Sequence, residues 1–450
     1  MGRSITSRRG PLPAPKVFAN DSTLTQFSGI MPLARYLAEE LDLVRRLSQV
    51  VGTDGVKRVY GRHLVLFSFL LGSLAGVHRL SHLEWLRGDA VLLKFLRLPR
   101  WPVRKVFSAA LAGLSDSGVE RLVALIARLG LAGVQGRDCA VVDLDSSSIV
   151  SFGRQEGAYF GYSGKGRNRR RHHPLVASVG ETRTVIHADY RDGSSITGDE
   201  AIAFLKKSIS VLRAGLAPGA RVSVRSDSGF WSKSMGSWLL EEQLPFIFSL
   251  PLYPWVKLIL RNTRWRAIDG EPDIQVTTIQ GERLGLDERL RVVGIRRRVL
   301  DSKTPPQGKV IAGCQHWRYQ SLVTGMAGEP EDLWRFYNGR ADCEQVFRVA
   351  RQALGMSKLI GHALRANETA FLLRLLAFNA DQRFQADALE RADQEHRPTL
   401  KIGLITRQRR FYQGAGRLLR CRGRWVMRVR QNAMVERMWR FYATQLIGTG

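Results

Sequence analysis

The chain has 450 residues, of which 44% are hydrophobic, and it carries 69 Lys plus Arg against 40 Asp plus Glu, a formal net charge of +29. That apolar content suits a globular chain of two or three domains, and the charge points to a polyanionic partner, nucleic acid first. A membrane span is excluded for the longest apolar run, 64–77, which is too short and holds Gly72 and Gly76.

The N-terminal 16 residues, MGRSITSRRGPLPAPK, have no apolar stretch behind their arginines and are not expected to act as a secretory signal. Apolar residues recur at three and four from about 30 to 135, which predicts a helical segment. Within it the chain breaks at Pro99 and Pro102, with Arg104 and Lys105 heading the next helix; this suits either a helix-turn-helix or an ordinary helical hairpin.

The pattern changes at Arg137. DCAVVDLD is a β-branched run ending in acids, and HPLVASV and TVIHADYRDG read as two further strands. Thr197 is a candidate N-cap for the helix that follows, which closes at Pro218 and Gly219. ARVSVRSDSGF is then a strand, SWLLEEQ a helix and PFIFSL another strand. The order β-β-β-α-β-α-β predicts three antiparallel strands, with a right-handed crossover returning the strand at 221–226 parallel to the first. From 251 to 325 the chain reads as basic and β-rich, with Trp255, Trp265 and Trp317 in or near this stretch. Helices return from 329, and 401–430 holds ten Lys or Arg and no acid.

Asp143 and Asp145 lie two residues apart on one strand and so share a face, while Asp227 ends the parallel neighbour. Carboxylates crowded together in so basic a chain suggest a cation between them, and open-sheet sites form at carboxyl strand ends. The four cysteines, Cys139, Cys314, Cys343 and Cys421, form no C-x-x-C pair, and adjacent His172 and His173 point to opposite faces of a strand. Oxygen ligands alone suit Mg²⁺ or Mn²⁺. A two-metal site needs a third acid, and Glu344 is the candidate. Tyr337, Arg340, Glu344 and Arg351 are spaced to form one stripe on a single helix, which is either a solvated ion-pair face or part of a site.

VVDLDSS, GRQEGAYFGYSG, HHPLVASVGETRTVIHADYRDG, VRSDSGF and YNGRADCEQVFRVAR, in this order, resemble DDE transposases of the IS4 superfamily, specifically its IS1380 family. The likeness runs from about 135 to 430. The stripe resembles the Y-x2-R-x3-E-x6-K signature of the superfamily, with Arg351 in place of Lys. The resemblance implies an α/β fold: an RNase H-like mixed sheet flanked by helices, with an N-terminal helical domain and a β-rich insertion. The expected divisions are 1–135 for DNA-end binding, 136–250 for the first part of the core, 251–329 for the insertion, 330–385 for the closing helices and 386–450 for a basic C-terminal segment.

On that resemblance the catalytic and metal-holding acids are Asp145, Asp227 and Glu344, with Asp143 as the alternative first acid. Asp145 is preferred because Ser146 and Ser147 follow it, as small hydroxyl residues follow the family's acid. Tyr337, Arg340 and Arg351 are expected to hold phosphate, with Lys165, Arg167 and Arg169 reaching the backbone from between the first two strands. Hairpin-forming relatives stack an aromatic on a flipped base; for each of the three tryptophans packing is the first reading and such stacking the alternative. The implied cofactor is Mg²⁺ or Mn²⁺, two ions per site. The implied partners are double-stranded DNA with inverted-repeat ends, target DNA and a second copy of the chain on DNA, in a bacterial cytoplasm at the nucleoid. The implied reaction is cut-and-paste movement, with a hairpin on the element end in many relatives. An inactive DNA-binding derivative and a host nuclease are the alternatives.

Overall fold

The computed structural model describes residues 21–52, 59–163, 166–299, 311, 314, 316–394, 397, 402–429 and 433–442; the side chains of 162, 163, 166–168, 341–345, 433 and 434 lie outside the description.

After a short strand β1 (Leu24–Thr25), the helices α1 (Ile30–Glu39), α2 (Leu43–Val51), α3 (Arg62–Leu74), α4 (Leu80–Leu83), α5 (Ala90–Phe95), α6 (Arg104–Ala112) and α7 (Asp116–Leu131) follow in succession. Ser115 caps α7 by accepting from Gly118 N at 3.2 Å. These helices do not close a core of their own. Leu66, Leu70, Phe107, Leu122 and Ile126 join Phe371, Leu375, Phe378 and Phe384 of α13 (Leu364–Arg391) in one buried cluster.

Beyond α7 lie β2 (Cys139–Ser146), a three-stranded ribbon of β3 (Ile149–Val150), β4 (Tyr159–Ser163) and β5 (Gly166–His172), then β6 (Leu175–Val179) and β7 (Val185–Asp189). The helix α8 (Gly198–Arg213) starts at the expected Thr197, which forms a capping box with Glu200. The strands β8 (Arg221–Ser226) and β9 (Phe246–Leu250) flank α9 (Lys233–Glu241). Then come α10 (Pro254–Arg261), β10 (Arg266–Ile268), β11 (Glu271–Gln280), β12 (Arg291–Arg298) and β13 (Trp317–Thr324). Residues 309, 310, 312 and 313, in a further expected strand, lie outside the described residues.

One nine-stranded sheet takes the order β10-β11-β12-β13-β9-β8-β2-β6-β7. Its β8 runs parallel to both neighbours, β2 and β9, while β6 pairs antiparallel with β2 and β7 antiparallel with β6, as the element order predicts. The strands of 251–329 are not a separate sheet. They extend the main one through antiparallel pairing of β13 with β9.

Period-two alternation sorts the side chains of each strand. Val142 and Leu144, with Phe246 and Phe248, enter a core beneath α8 and α9, whereas Ile247 faces Leu333, Trp334 and Tyr337 on the opposite side. Asp143 and Asp145, out of phase with Val142 and Leu144, therefore point to the side where α11 (Pro330–Asn338) and α12 (Ala341–Ala353) pack. Asn379 of α13 finishes the β7 edge: its Oδ1 accepts from Val185 N at 2.9 Å and its Nδ2 donates to Val185 O at 2.7 Å.

The described residues of the basic C-terminal segment are folded. The β14 (Gly416–Cys421) and β15 (Arg424–Val429) hairpin pairs with β1, and Phe411, Tyr412 and Tyr442 enter the helical core. Arg407 and Asp381 form a buried ion pair there, and Tyr412 donates to Asp381 at 2.7 Å. Among the described residues no helix is long and apolar enough to cross a membrane.

His187 on β7 is 4% exposed, stacks on Phe204 with ring centroids 5.0 Å apart, and its Nδ1 has no hydrogen-bond partner among the described residues. Burial, helped by Lys207, pushes its pKa down from 6.5 to about 4. As pH falls below 6.5 the unfolded chain takes up a proton that the folded one refuses, so stability is lost down to about pH 4. The expected loss is about 3 kcal/mol. Urea unfolding at neutral pH and at about pH 4 should show a difference smaller by about that amount in His187→Gln; an unchanged difference would mean that His187 titrates normally.

Candidate active site

The first acid of the pair, Asp143, is 1% exposed and fully engaged. Parallel register sets it opposite Arg225 on β8, whose Nε and Nη2 donate to Oδ1 at 2.7 Å and Oδ2 at 2.8 Å. Arg225 Nη1 also donates to Phe336 O at 2.8 Å, the end of α11. Space for this guanidinium comes from two glycines. A Cβ on Gly180 would lie 2.7 Å from Arg225 Nη2, and one on Gly339 only 2.3 Å from Nη1. Burial pushes the Asp143 carboxyl up, and the Arg225 pair opposes that shift. Asp143, the alternative first acid, is thus committed to a structural ion pair.

Asp145, one pleat further and last but one in β2, accepts from Ser146 N at 2.8 Å. Asp227 follows the last residue of β8, with its Oδ1 accepting from Gly229 N at 2.9 Å. Both sit at the carboxyl edge of a parallel pair, where strand ends leave side chains unsheathed. Arg340 Nη2 lies between them, 3.4 Å from Asp145 Oδ1 and 3.8 Å from Asp227 Oδ2.

The polar stripe is not on one helix. The first helix ends at Asn338 and the second begins at Ala341, with Gly339 and Arg340 between them. Arg340 N bonds Tyr337 O at 2.9 Å rather than Phe336 O, and Arg225 takes the carbonyl thus released. The break turns Tyr337 inward, 8% exposed in a cluster with Ile247, Leu333 and Trp334. It also aims Arg340, 4% exposed, at the two aspartates. Glu344 lies in the first turns of α12, with its side chain outside the described residues. Arg351, one end of the same helix, is exposed and its Nη2 donates to Ser147 Oγ at 2.9 Å, two residues past Asp145.

Lys165 lies outside the described residues and the Arg167 side chain outside the described side chains, while Arg169 is exposed on β5. Trp265 and Trp317 sandwich Arg296, with its guanidinium 4.6 and 4.4 Å from their ring centroids, so both serve packing. Trp255 is 39% exposed and stacks on Tyr253. Sequence reasoning missed Arg225; the available signal was a lone charge in the strand VSVRS, directly before the Asp227 turn.

Among the described residues no cluster of three His, Cys, Asp or Glu could hold a metal. The donors that do converge, Asp145 and Asp227, are hard oxygens gathered around a cation, Arg340, which fits a hard divalent ion.

The sheet and its edge acids define an RNase H-like α/β core with a carboxylate pair ending adjacent parallel strands. Residues 138–380 match the family model described as "Transposase DDE domain", and residues 19–253 the one described as "Transposase DDE domain group 1". The chain belongs to the DDE transposases, a family that uses divalent metal ions. No curated protein matches it. Among solved structures it is similar to a piggyBac transposase synaptic complex with hairpin DNA, at 10% identity and a TM-score of 0.47, over 86% of this chain and 79% of that one. It is also similar to a Drosophila P element transposase strand transfer complex, at 13% identity and a TM-score of 0.23, over 53% of each chain.

Proposed function

We propose that this chain is an active transposase of the IS1380 type, cleaving DNA at the inverted-repeat ends of an insertion sequence and joining them to target DNA as a dimer. The convergence of Asp145 and Asp227 on Arg340, at the carboxyl edge of β2 and β8, carries this reading. Asp145, Asp227 and Glu344 would hold Mg²⁺, which supplies charge neutralisation at the scissile phosphate and acidifies water. Arg340 offsets the repulsion between the two aspartate charges in the absence of a bound cation. Arg351, exposed beside Ser147, offers further guanidinium donors to a phosphate oxygen. Its planar fork replaces the point charge of the lysine in the signature and favours a two-oxygen contact.

The test is nicking of linear DNA carrying an element end, with Mg²⁺ or with EDTA. Nicking at the end in Mg²⁺ alone, lost in Glu344→Gln, is the expected result. Nicking that survives EDTA would remove the metal from the reaction, and nicking that Glu344→Gln leaves unchanged would remove this glutamate from it.

A further inference from the structure

The ribbon β3-β5-β4 leaves the sheet just after Asp145 and returns to it just before β6, so it rises from the edge that carries the carboxylates. Phe152 is seven residues past Asp145, hence within about 25 Å of it.

The base of the ribbon is fixed. Ile149, Ala158, Arg171 and His172 are buried. His172 donates from Nε2 to Glu156 O at 2.9 Å and accepts at Nδ1 from the Tyr190 hydroxyl at 3.0 Å. The Glu156 carboxylate accepts from Leu364 N at 2.9 Å, tying the ribbon to the start of α13.

The outer part is built differently. Phe152 is 85% exposed, Phe160 65% and Tyr159 53%. Tyr159 and Phe160 are consecutive on β4 and so face opposite sides, which leaves an exposed ring on each face of the ribbon. Guanidinium groups accompany two of the rings: Arg169 lies 5.5 Å from the Phe152 centroid and Arg170 4.8 Å from that of Phe160. Exposed aromatics interleaved with arginine, on a rigid stem, are what stacking on bases while neutralising a backbone requires. Duplex DNA presents its bases only by their edges, so open rings suit unpaired ones.

We propose that this ribbon binds unpaired DNA bases next to the cleavage site, with Phe152 and Phe160 as stacking platforms and Arg169 and Arg170 on the phosphates. It rests on the reading of the chain as a DNA-cleaving transposase, and it moves base stacking away from the tryptophans of 251–329. The ribbon's positive charge selects DNA over a second, equally basic copy of this chain.

The experiment uses the full chain in EDTA, so that no cleavage intervenes. A short single strand of mixed sequence containing 2-aminopurine, and the same sequence as a duplex, are titrated with the native protein and with Phe152→Ala/Phe160→Ala. Native protein should quench the fluorophore in the single strand, and the double variant should lose the quench and about tenfold or more in single-strand affinity. Its duplex affinity should stay within about twofold, and Phe152→Trp/Phe160→Trp should restore the quench. Both positions are exposed, so an unchanged melting temperature confirms a folded variant. Unchanged quenching, equal loss on single strand and duplex, or a change only in sedimentation mass would overturn the proposal. If these variants bind normally while native protein nicks DNA in Mg²⁺, the stacking inference falls and the transposase reading stands. Quenching without nicking would give the reverse.

Discussion

Asp145→Asn is expected to lower metal-dependent strand cleavage by about 10³-fold while DNA affinity stays within about twofold. Asp145 lies near the carboxyl end of β2, 3.4 Å from a guanidinium that also approaches Asp227 at 3.8 Å, and that guanidinium comes from the break between α11 and α12, whereas Asp143 is held by Arg225 of the neighbouring strand. Replacing one carboxylate oxygen by an amide removes charge from the cation site without changing shape. Asp143→Asn is the matched control. It empties a buried, bidentate pair with Arg225 and should lower the melting temperature more than it lowers the rate per folded molecule. If Asp143→Asn abolishes cleavage in a well-folded protein and Asp145→Asn does not, the assignment of the two acids is inverted.

Arg225→Met should cost about 3–5 kcal/mol of stability, because it strands a buried carboxylate. It also removes the donor to Phe336 O, which lies at the break between α11 and α12. The pH dependence follows from burial, which already pushes the Asp143 carboxyl above its ordinary 3.8 and would act unopposed by Arg225 in the variant. Folded Asp143 then keeps its proton while the unfolded chain gives it up, so the variant loses stability as pH rises above about 4. Urea unfolding at several pH values should show the deficit smallest in acid. A deficit below about 1 kcal/mol that does not vary with pH would mean the pair contributes little. Because Arg225 also sets where α12 begins, residual folded variant should cleave more slowly than its concentration predicts.

The core sheet was readable because its strands are β-branched runs ending in acids, and because handedness leaves one way to return 221–226 beside 139–146. The break at Gly339 and Arg340 was not readable. Both residues keep helical angles, at φ −56° and −65°, and what separates the helices is a guanidinium that arrives from a strand more than a hundred residues earlier. For the same reason Asp143 and Asp145 look equivalent by spacing; beyond the serines that follow Asp145, what separates them is the cross-strand pairing of Asp143 with Arg225. The strands of 251–329 carry a clear alternation, but nothing local announces that β13 pairs with β9. The exposed ribbon aromatics lie in a stretch whose arginines dominate the pattern, so its charge was legible and its rings were not. The C-terminal segment was read by charge as well, which hid the buried Arg407 and Asp381 pair and the aromatic residues that anchor it.

Whether Asp145, Asp227 and Glu344 together hold a cation can be read from cutting of the protein itself. Fe²⁺ in place of Mg²⁺, with ascorbate and peroxide, generates radicals that cleave the polypeptide next to bound iron. Chain breaks are expected near 145, 227 and 344, suppressed by excess Mg²⁺ and lost in Asp145→Asn. Breaks that omit the Asp227 turn, or that persist unchanged in Asp145→Asn, would contradict a shared cation site.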